Sequence, residues 1–322
     1  MRKTLGKQIC FGVTLAIATF ALTISVVSII AEGWWIAELL GHLRIHMIAL
    51  LTICMAVFII QGHRLGWLLL IPTLVFSAPI LSLYLPVQVD ANPHRMTIIH
   101  YNLDGTQPLS KKVIPYLLSQ SPDLLFLQEM TPEHERNIIR DLPEYRIALS
   151  IPMPNSHGSA LLVPMDTPIQ VMNTETVHLP RDSIRPMLSA SLKSGDQRFK
   201  VLSMQATRPR NASTSAFQKR ELEELASWCR LQQQENKGPL ILIGDINTTP
   251  WSSRLRRLLR DGNMKNSSNG YGVQPTWPAW LPRFLGLPID HCIVSQEVDI
   301  FQRRTGPPLG SDHLPLIIEI GF

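Results

Sequence analysis

Residues 241–252 read ILIGDINTTPWS. An aliphatic run ends at Gly244, and a carboxylate and a carboxamide follow at Asp245 and Asn247. The run is typical of a buried strand, and Gly244 permits a sharp exit from it. Because side chains alternate along an extended chain, Asp245 and Asn247 point the same way. Removing these two groups from water is costly, so we expect partners for them elsewhere in the chain.

Similar β-rich runs recur through the rest of the chain after residue 95, and several are apolar on both alternating faces. They read MTIIHYNL, DLLFLQEM, YRIALS, SALLVPM, MLSASL, FKVLSMQA, PLILIGDIN, PIDHCIVS and LPLIIEI. Two helical patterns interrupt them, at 214–237 and in SRLRRLLRDG, which Ser252 or Ser253 would cap and which stops at Gly262. The alternation predicts one α/β sandwich domain, with two sheets packed together and helices outside.

Five of these runs end at, or are interrupted by, polar residues that can bind a metal ion or a phosphate. They are Asn102, Glu129, Asp245 with Asn247, Asp290 with His291, and Asp312 with His313. Packing does not require acids and amides at strand ends, so their grouping indicates a metal, a substrate or mutual contacts.

This set fits the hydrolysis of a phosphate ester. Oxygen ligands such as Glu129 suit a hard ion like Mg²⁺. A histidine beside a carboxylate is held in one tautomer or kept cationic, and either form can hydrogen-bond a phosphoryl oxygen. Asp245 could orient or deprotonate a water, and Asn247 could donate to charge that develops on the phosphoryl group.

The order of these motifs resembles the endonuclease/exonuclease/phosphatase superfamily of Mg²⁺-dependent phosphodiesterases and phosphomonoesterases. The matching motifs are YN at 101–102, LQE at 127–129, GDIN at 244–247, IDH at 289–291 and GSDHLP at 310–315. The match covers residues 96–322, and the stretches DINTTPWS and QPTWPAW resemble the membrane-anchored bacterial members. The resemblance implies a four-layer fold, with two mixed sheets between two helical layers.

The resemblance also implies a role for each matched residue. Glu129 would bind Mg²⁺, or Mn²⁺, with help from Asn102, and Asp312 would lie beside the metal. Asp245 would position or activate the nucleophilic water, and Asn247 would steady the pentacoordinate phosphorus. Asp290 would orient His313, which would contact the scissile phosphate.

One position departs from the family pattern. The family usually has a histidine, less often a tyrosine, after the central strand that here reads VLSMQATRP, and Gln205 stands at that place. Glutamine donates hydrogen bonds but carries no charge, so we expect weaker transition-state stabilisation. Gln205 is a candidate substrate-binding residue, and Arg208 is a candidate replacement for the missing cation.

The first 85 residues predict a membrane region of about three helices. Only eight formally charged residues fall among the first 90. The uncharged segments 9–31 and 65–85 are each long enough to cross a bilayer, and 45–60 is a shorter third candidate. A cleaved signal peptide is the alternative interpretation of the first segment. Residues 86–95 then read as a linker, and residues 96–322 as the catalytic domain.

Loop charges predict the orientation of this region. Basic residues at positions 2, 3 and 7 favour a cytoplasmic N-terminus, while the 32–44 loop has one arginine and two glutamates. Three spans would then place the catalytic domain outside the cytoplasm, which suggests a multi-pass protein of the bacterial inner membrane with a periplasmic domain.

Two classes of function remain open at this point. The first is a membrane-tethered metal-dependent phosphodiesterase, with nucleic acid or a phospholipid-like headgroup as its substrate. Tethering favours the lipid, and the arginine-rich segment 254–260 favours nucleic acid. The second is a catalytically weakened fold that serves as a binding or scaffold module, and Gln205 is its main support.

Overall fold

A computed structural model describes residues 2–31, 33–89, 95–236 and 238–322. Within these ranges, the chain after residue 95 forms two six-stranded sheets. The first has the spatial order β11 (Asp299–Thr305), β12 (Leu316–Gly321), β1 (Arg95–Asn102), β2 (Leu124–Gln128), β4 (Ser159–Pro164) and β3 (Tyr145–Ile151). The second has the order β5 (Ile169–Val177), β6 (Met187–Ser194), β7 (Gln197–Ser203), β8 (Leu240–Asp245), β10 (Asp290–Ser295) and β9 (Met264–Asn266).

The inner faces of the two sheets pack on each other through aliphatic and aromatic side chains. Ile98 of β1 and Phe126 of β2 lie in one buried cluster with Val201 of β7 and Ile243 of β8. β1 pairs with β2 in parallel, β7 pairs with β8 in parallel, and the other neighbouring strands are antiparallel. The central strands are buried on both sides, which explains their nearly continuous apolar sequences.

Helices cover the outer face of each sheet. They are α6 (Val113–Gln120) and α7 (Pro132–Asp141) on the first sheet, and α8 (Ala212–Asn236) and α9 (Ser253–Asp261) on the second. Ser252 caps α9 by accepting a hydrogen bond from the Arg254 amide, and the helix ends at Gly262. The predicted helix at 214–237 corresponds to α8, although residue 237 lies outside the described residues. The predicted four-layer sandwich is confirmed.

The sequence patterns did not predict three strands, and all three lie at sheet edges. They are β5, β9 and β11. β5 and β11 carry polar residues on both faces because an edge strand meets solvent, and β9 has only three residues. Their sequences therefore lack the apolar runs that predicted the nine inner and flanking strands.

The N-terminal region is helical. Its elements are α1 (Arg2–Ile30), α2 (Trp35–His42), α3 (Arg44–Ile60), α4 (Leu65–Leu68) and α5 (Leu70–Leu81). Among the described residues, two helical stretches are long and apolar enough to cross a membrane, Leu5–Ile30 and Leu65–Tyr84. The pair α2 and α3, bent by 63°, makes a third span if it is taken as one. The two longer predicted spans are thus well matched by length and composition.

Helix α2 corrects the expectation of a loop at 32–44. Its residues have a helical pattern with buried Ala37 and His42, and it packs on the sandwich. His42 Nδ1 lies 3.0 Å from Thr249 Oγ1, and Trp251 Nε1 donates to the carbonyl of Gly41 at 2.8 Å. Glu38 accepts a hydrogen bond from the Ser252 hydroxyl. The loop that follows β8 therefore lies against the N-terminal helices.

A second contact lies where the N-terminal helices end. The carbonyl of Leu83 accepts hydrogen bonds from the amides of Gly270 and Gly272, at 2.8 and 2.9 Å. Residues 90–94 of the predicted linker lie outside the described residues, so the boundaries 1–85, 86–95 and 96–322 stay predictions.

Candidate active site

The strand ends that carry the polar motifs meet at one edge of the sandwich. Asn102 ends β1, Gln128 ends β2 and Asp245 ends β8. Asp290 begins β10, which is antiparallel to β8, and Asp290 pairs directly with Asp245 in the ladder. His313 precedes β12, which is antiparallel to β1. Chain direction and register thus bring together residues that are distant in sequence.

Asp290 lies at the centre of a buried hydrogen-bonded group. Its Oδ2 is 2.8 Å from His313 Nδ1, and its Oδ1 is 2.9 Å from His100 Nε2. All three side chains are almost completely buried. The contact to Nδ1 turns His313 Nε2 away from Asp290, 4.0 Å from Asp245 Oδ2 and 3.9 Å from Asp312 Oδ1. Nε2 has no hydrogen-bond partner within the described residues.

Charge favours the ionised forms of this pair. Burial opposes ionisation of Asp290, but the charge of His313 and hydrogen bonds from both histidines hold the pKa of Asp290 well below its usual range. Burial alone would lower the pKa of His313, but Asp290, Asp245 and Asp312 together raise it to about 9. The arrangement can therefore present a cationic N–H to an anionic group.

Asp245 is held by a close approach of two backbones. Gly244 has φ +152°, and a Cβ there would lie 1.8 Å from the carbonyl oxygen of Met204. The amide of Asp245 donates to Gln128 Oε1 at 3.0 Å, which ties the second sheet to the first. Burial, followed by the charge of Asp290, raises the pKa of Asp245 to about 7.

Asn247 orients Asp245 in this structure. Its backbone amide donates to Asp245 Oδ1, and its Nδ2 donates to Asp245 Oδ2, both at 2.9 Å. Nδ2 also donates to the carbonyl of Ala206 at 3.0 Å, so both amide protons are engaged. Arg208 Nε donates to Asn247 Oδ1 at 3.3 Å, which places this arginine at the site.

The carboxylate of Glu129 receives three hydrogen bonds. Asn102 Nδ2 donates to Oε1 at 3.1 Å and Gln205 Nε2 donates to Oε1 at 2.8 Å, while the Gly105 amide donates to Oε2 at 3.2 Å. Asn102 Oδ1 accepts from the amide of Asp104. Glu129 itself has a left-handed backbone, with φ +54°. Such a backbone is costly for a residue other than glycine and is common at functional sites.

Asp312 lies at the open side of the site, with its side chain 35% exposed. Trp277 Nε1 donates to its Oδ2 at 2.9 Å. Asp312 Oδ1 lies 3.9 Å from His313 Nε2. Within the described residues, no group of three or more histidine, cysteine, aspartate or glutamate side chains is arranged as a metal cage.

Sequence reasoning missed several residues that complete the site. His100 lies two residues before Asn102 on the same face of β1, and that spacing was the signal available for it. Gln128, in the LQE motif, links the two sheets through Asp245. Arg185 precedes β6 in an irregular segment without any motif.

Arg185 places a positive charge near the site carboxylates. Its Nη1 donates to Thr207 Oγ1 at 3.0 Å, and its buried Nε has no partner within the described residues. Burial lowers the pKa of Arg185, while the charges of Glu221, Asp245 and Glu129 act in the opposite direction. The charge of Arg185 also helps to lower the pKa of His157, after burial.

The Endonuclease/Exonuclease/phosphatase family model matches residues 99–313, which is more than half of the chain. The chain belongs to this family. Members of the Endonuclease/Exonuclease/phosphatase family are hydrolases that act on phosphoester bonds, and they generally use divalent metal ions. The matched range contains every one of the site residues described above.

Several solved structures share the fold. D. rerio TDP2 complexed with a single-strand DNA product is 16% identical, with a TM-score of 0.59, 71% of this chain covered and 99% of that chain. The human Nocturnin catalytic domain with bound sulfate is 19% identical, with a TM-score of 0.57 and coverages of 73% and 96%. The Bacteroides thetaiotaomicron mannosyl-6-phosphatase Bt3783 is 16% identical, with a TM-score of 0.56 and coverages of 70% and 100%. Among curated protein sequences, none matches the chain.

Proposed function

We propose that this protein is a membrane-anchored, divalent-metal-dependent phosphoesterase of the phosphodiesterase or nuclease type. The observation that supports it most is the buried His313 Nε2, which Asp290 directs towards Asp245 and Asp312 and which lacks a partner within the described residues. A buried polar atom without a partner is rare unless a ligand satisfies it. An anionic phosphoryl oxygen suits this position.

The oxygen donors at the site fit a hard cation. Glu129 presents a carboxylate that three hydrogen bonds hold in place, one of them from Asn102. Asp312 offers a second carboxylate. Mg²⁺ keeps several waters and needs only one or two carboxylates, so the lack of a larger cage among the described residues is compatible with it. Mn²⁺ accepts the same ligands. When bound, the ion supplies Lewis-acid polarisation of a phosphoryl oxygen.

The side chains of this chain divide the remaining work. Asp245, oriented by Asn247, positions the attacking water and accepts its proton. His313, oriented by Asp290 and in turn by His100, donates from Nε2 to a phosphoryl oxygen as negative charge develops there. A direct contact from Asn247 to phosphorus-bound oxygen would require exchange of one of its two present hydrogen bonds.

Positive charge for substrate binding comes from two arginines. Arg208 lies beside Asn247, and Arg185 has an unpartnered Nε within the described part of the chain. Gln205, in contrast, donates to Glu129 and so would support the proposed metal ligand. These contacts favour an enzyme over a weakened scaffold, because Arg208 and Arg185 supply positive charge near the site although position 205 carries none.

The substrate class that we favour is a phosphodiester presented near a membrane, either nucleic acid or a phospholipid-like headgroup. The arginine-rich helix α9 gives less support to nucleic acid than its sequence indicated. Arg254 is buried and donates to Ser215 and Gln218, so it is unavailable to a polyanion. We place the catalytic domain on the extracytoplasmic side of a bacterial inner membrane, by the loop charges.

The test is hydrolysis by the full chain, purified in detergent, with Mg²⁺ or Mn²⁺. Bis-p-nitrophenyl phosphate, DNA and phospholipid vesicles serve as substrates. We expect Asp245→Asn and His313→Ala each to lower kcat by about 10²–10⁴-fold, the range for loss of a general base or of a charge-stabilising donor.

His178→Ala is the matched control, because this exposed histidine is not part of the site and its one hydrogen bond among the described residues is to the Ser183 carbonyl. It should retain activity. No hydrolysis of any substrate with either ion, or unchanged rates in both site variants, would sink the enzymatic proposal and favour the scaffold.

A further inference from the structure

A cavity lies away from the candidate active site, between the N-terminal helices and the sandwich. Its volume is about 710 Å³. One wall is formed by the start of α3 and the end of α5, through Ile45, Ile48 and Ile80. The facing wall is formed by the segment 273–286 and by the end of β11, with Arg283, Phe284 and Arg304.

The helical wall is apolar and belongs to two candidate membrane spans. The residues that line the cavity include Leu81 and Tyr84, each 56% exposed, and Phe284, which is 76% exposed. Large apolar side chains that are exposed together mark an interaction site rather than a solvated surface. Since α3 and α5 would lie in the bilayer, the helical wall of this cavity would lie at the level of the lipid.

The charged residues that line this cavity are both arginines, and no described lining residue is acidic. Arg283 Nη2 donates to the Gly306 carbonyl at 3.1 Å, and Arg304 Nη2 donates to Gln120. A guanidinium has five N–H donors, so each arginine keeps several for a ligand. The cavity therefore combines an apolar wall with a cationic rim at the end of the spans, where lipid phosphates lie.

We propose that this cavity binds one anionic phospholipid of the surrounding bilayer. An acyl chain would lie against Ile45, Ile48 and Ile80, and the phosphate would lie between Arg283 and Arg304. The volume falls within the range of small-molecule sites, which suits a chain and part of a headgroup. The proposal rests on the proposed membrane location and is independent of the proposed hydrolysis.

Photocrosslinking of the full chain tests this proposal. The protein is placed in phosphatidylcholine nanodiscs that contain a small fraction of phosphatidylglycerol with a diazirine in its acyl chain. After irradiation, labelled peptides are mapped by mass spectrometry. We expect labelling concentrated at 45–48, 77–84 and 283–286. Labelling spread evenly over the outer surfaces of α1, α3 and α5 would overturn the proposal.

Cavity-filling variants give a second measurement. Ile80→Trp and, separately, Ile48→Trp place a large side chain in the space for the acyl chain, so labelling there should fall by about tenfold. Val75→Trp is the matched control, because Val75 lies on the same helix, is 59% exposed and does not line the cavity. Two filling variants guard against failure of one to fold. Undiminished labelling in both would contradict the proposed site.

Charge removal tests the headgroup. Combining Arg283→Gln with Arg304→Gln should lower the preference for phosphatidylglycerol over phosphatidylcholine by about fivefold for each arginine. Arg140→Gln is the control, since Arg140 is exposed on α7 and pairs with Asp141. An unchanged preference would overturn the assignment of the phosphate to these arginines. Hydrolysis of soluble bis-p-nitrophenyl phosphate, measured in parallel, reports separately on the proposed chemistry.

Discussion

Gln205 donates its side-chain amide to Glu129, and this contact determines what a substitution there should change. The hydrogen bond is 2.8 Å long and joins the Gly105 amide and Asn102 in fixing the carboxylate. Groups that orient a metal ligand affect metal affinity more than they affect the bond-breaking step. The glutamine at position 205 therefore changes the set of hydrogen bonds that fixes the Glu129 carboxylate.

Gln205→Ala should raise the Mg²⁺ concentration needed for half-maximal activity by about 10–100-fold, with a smaller change in kcat at saturating metal. The measurement is initial rate against Mg²⁺ concentration. Gln302→Ala, an exposed glutamine on β11, is the control and should behave as the wild type. A fall in kcat with unchanged Mg²⁺ dependence would show that Gln205 contacts the substrate instead.

Glu221 makes the stability of the protein depend on pH. It is fully buried, and burial raises its pKa from 4.5 to about 7 despite hydrogen bonds from Thr207 and the charge of Arg185. Between these two values the unfolded chain releases this proton more readily than the folded chain. Stability from this group is therefore greatest below pH 4.5, falls as pH rises, and is lowest above about pH 7.

We expect Glu221→Gln to reduce this loss, which amounts to about 3 kcal/mol at most. The measurement is the thermal midpoint of the full chain in detergent, from pH 5 to pH 8, with wild type and variant compared at each pH. Glu223→Gln is the control because Glu223 lies on the same helix and is exposed. Parallel curves for wild type and Glu221→Gln would contradict the assignment.

The end of β8 is the element on which the site depends most closely. At Gly244 the chain passes the carbonyl of Met204 so closely that no side chain fits, and Asp245 and Asn247 follow at once. Asn247 itself has φ +53°. A short turn with this backbone folds Asn247 back onto Asp245, so that the Asn247 main-chain and side-chain amides both donate to the Asp245 carboxylate.

Gly244→Ala should destabilise the fold by about 3 kcal/mol or more, because its Cβ would lie 1.8 Å from backbone. Gly195→Ala is the matched control: Gly195 also has positive φ, at +56°, but no atom of the described residues lies within 4 Å of its Cβ position. That variant should lose only about 1 kcal/mol from backbone strain. The measurement is the thermal midpoint of each variant. Equal decreases in the two midpoints would show that the close approach of Gly244 to the Met204 carbonyl is unimportant.

The same element shows why the sequence predicted much of this site. A strand that ends in GDIN can be identified as part of a site from local sequence alone, since the apolar run, the glycine and the polar residues all fall within a few positions. Arg185 has no comparable signal, because an irregular segment carries it and only the packed structure brings it near Asp245 and Glu129. The edge strand β5 was likewise hidden, since its polar residues face solvent. Local sequence patterns predict buried strands, whereas long-range packing determines which loop residues lie beside the ends of those strands.

The N-terminal helices contact the sandwich directly, whereas a tethered domain would be joined to its anchor by a linker alone. Helix α2 covers the loop after β8, with Trp251 only 2% exposed and bonded to Gly41. Sequence alone suggested a loop there because one arginine and two glutamates fall within 32–44, between two uncharged segments. The N-terminal helices thereby form part of the environment of the segment that carries Asp245 and Asn247.

Removing residues 1–85 should therefore destabilise the sandwich, by about 3 kcal/mol or roughly 10 °C in thermal midpoint, because Trp251 loses its cover. Acrylamide quenching of tryptophan fluorescence should rise in the truncated protein. Trp280→Phe, introduced into both forms, removes the signal of a tryptophan that is already 75% exposed. A truncated domain with the same midpoint and the same quenching would show that α2 contributes nothing to stability.

The contacts of Trp251, His42 and Leu83 hold the N-terminal helices against the sandwich. They join the two parts of the molecule through side chains and main-chain amides that do not depend on a continuous backbone. Two separate polypeptides, residues 1–89 and an exported 95–322, can be co-expressed. We expect them to associate into one complex at the bilayer.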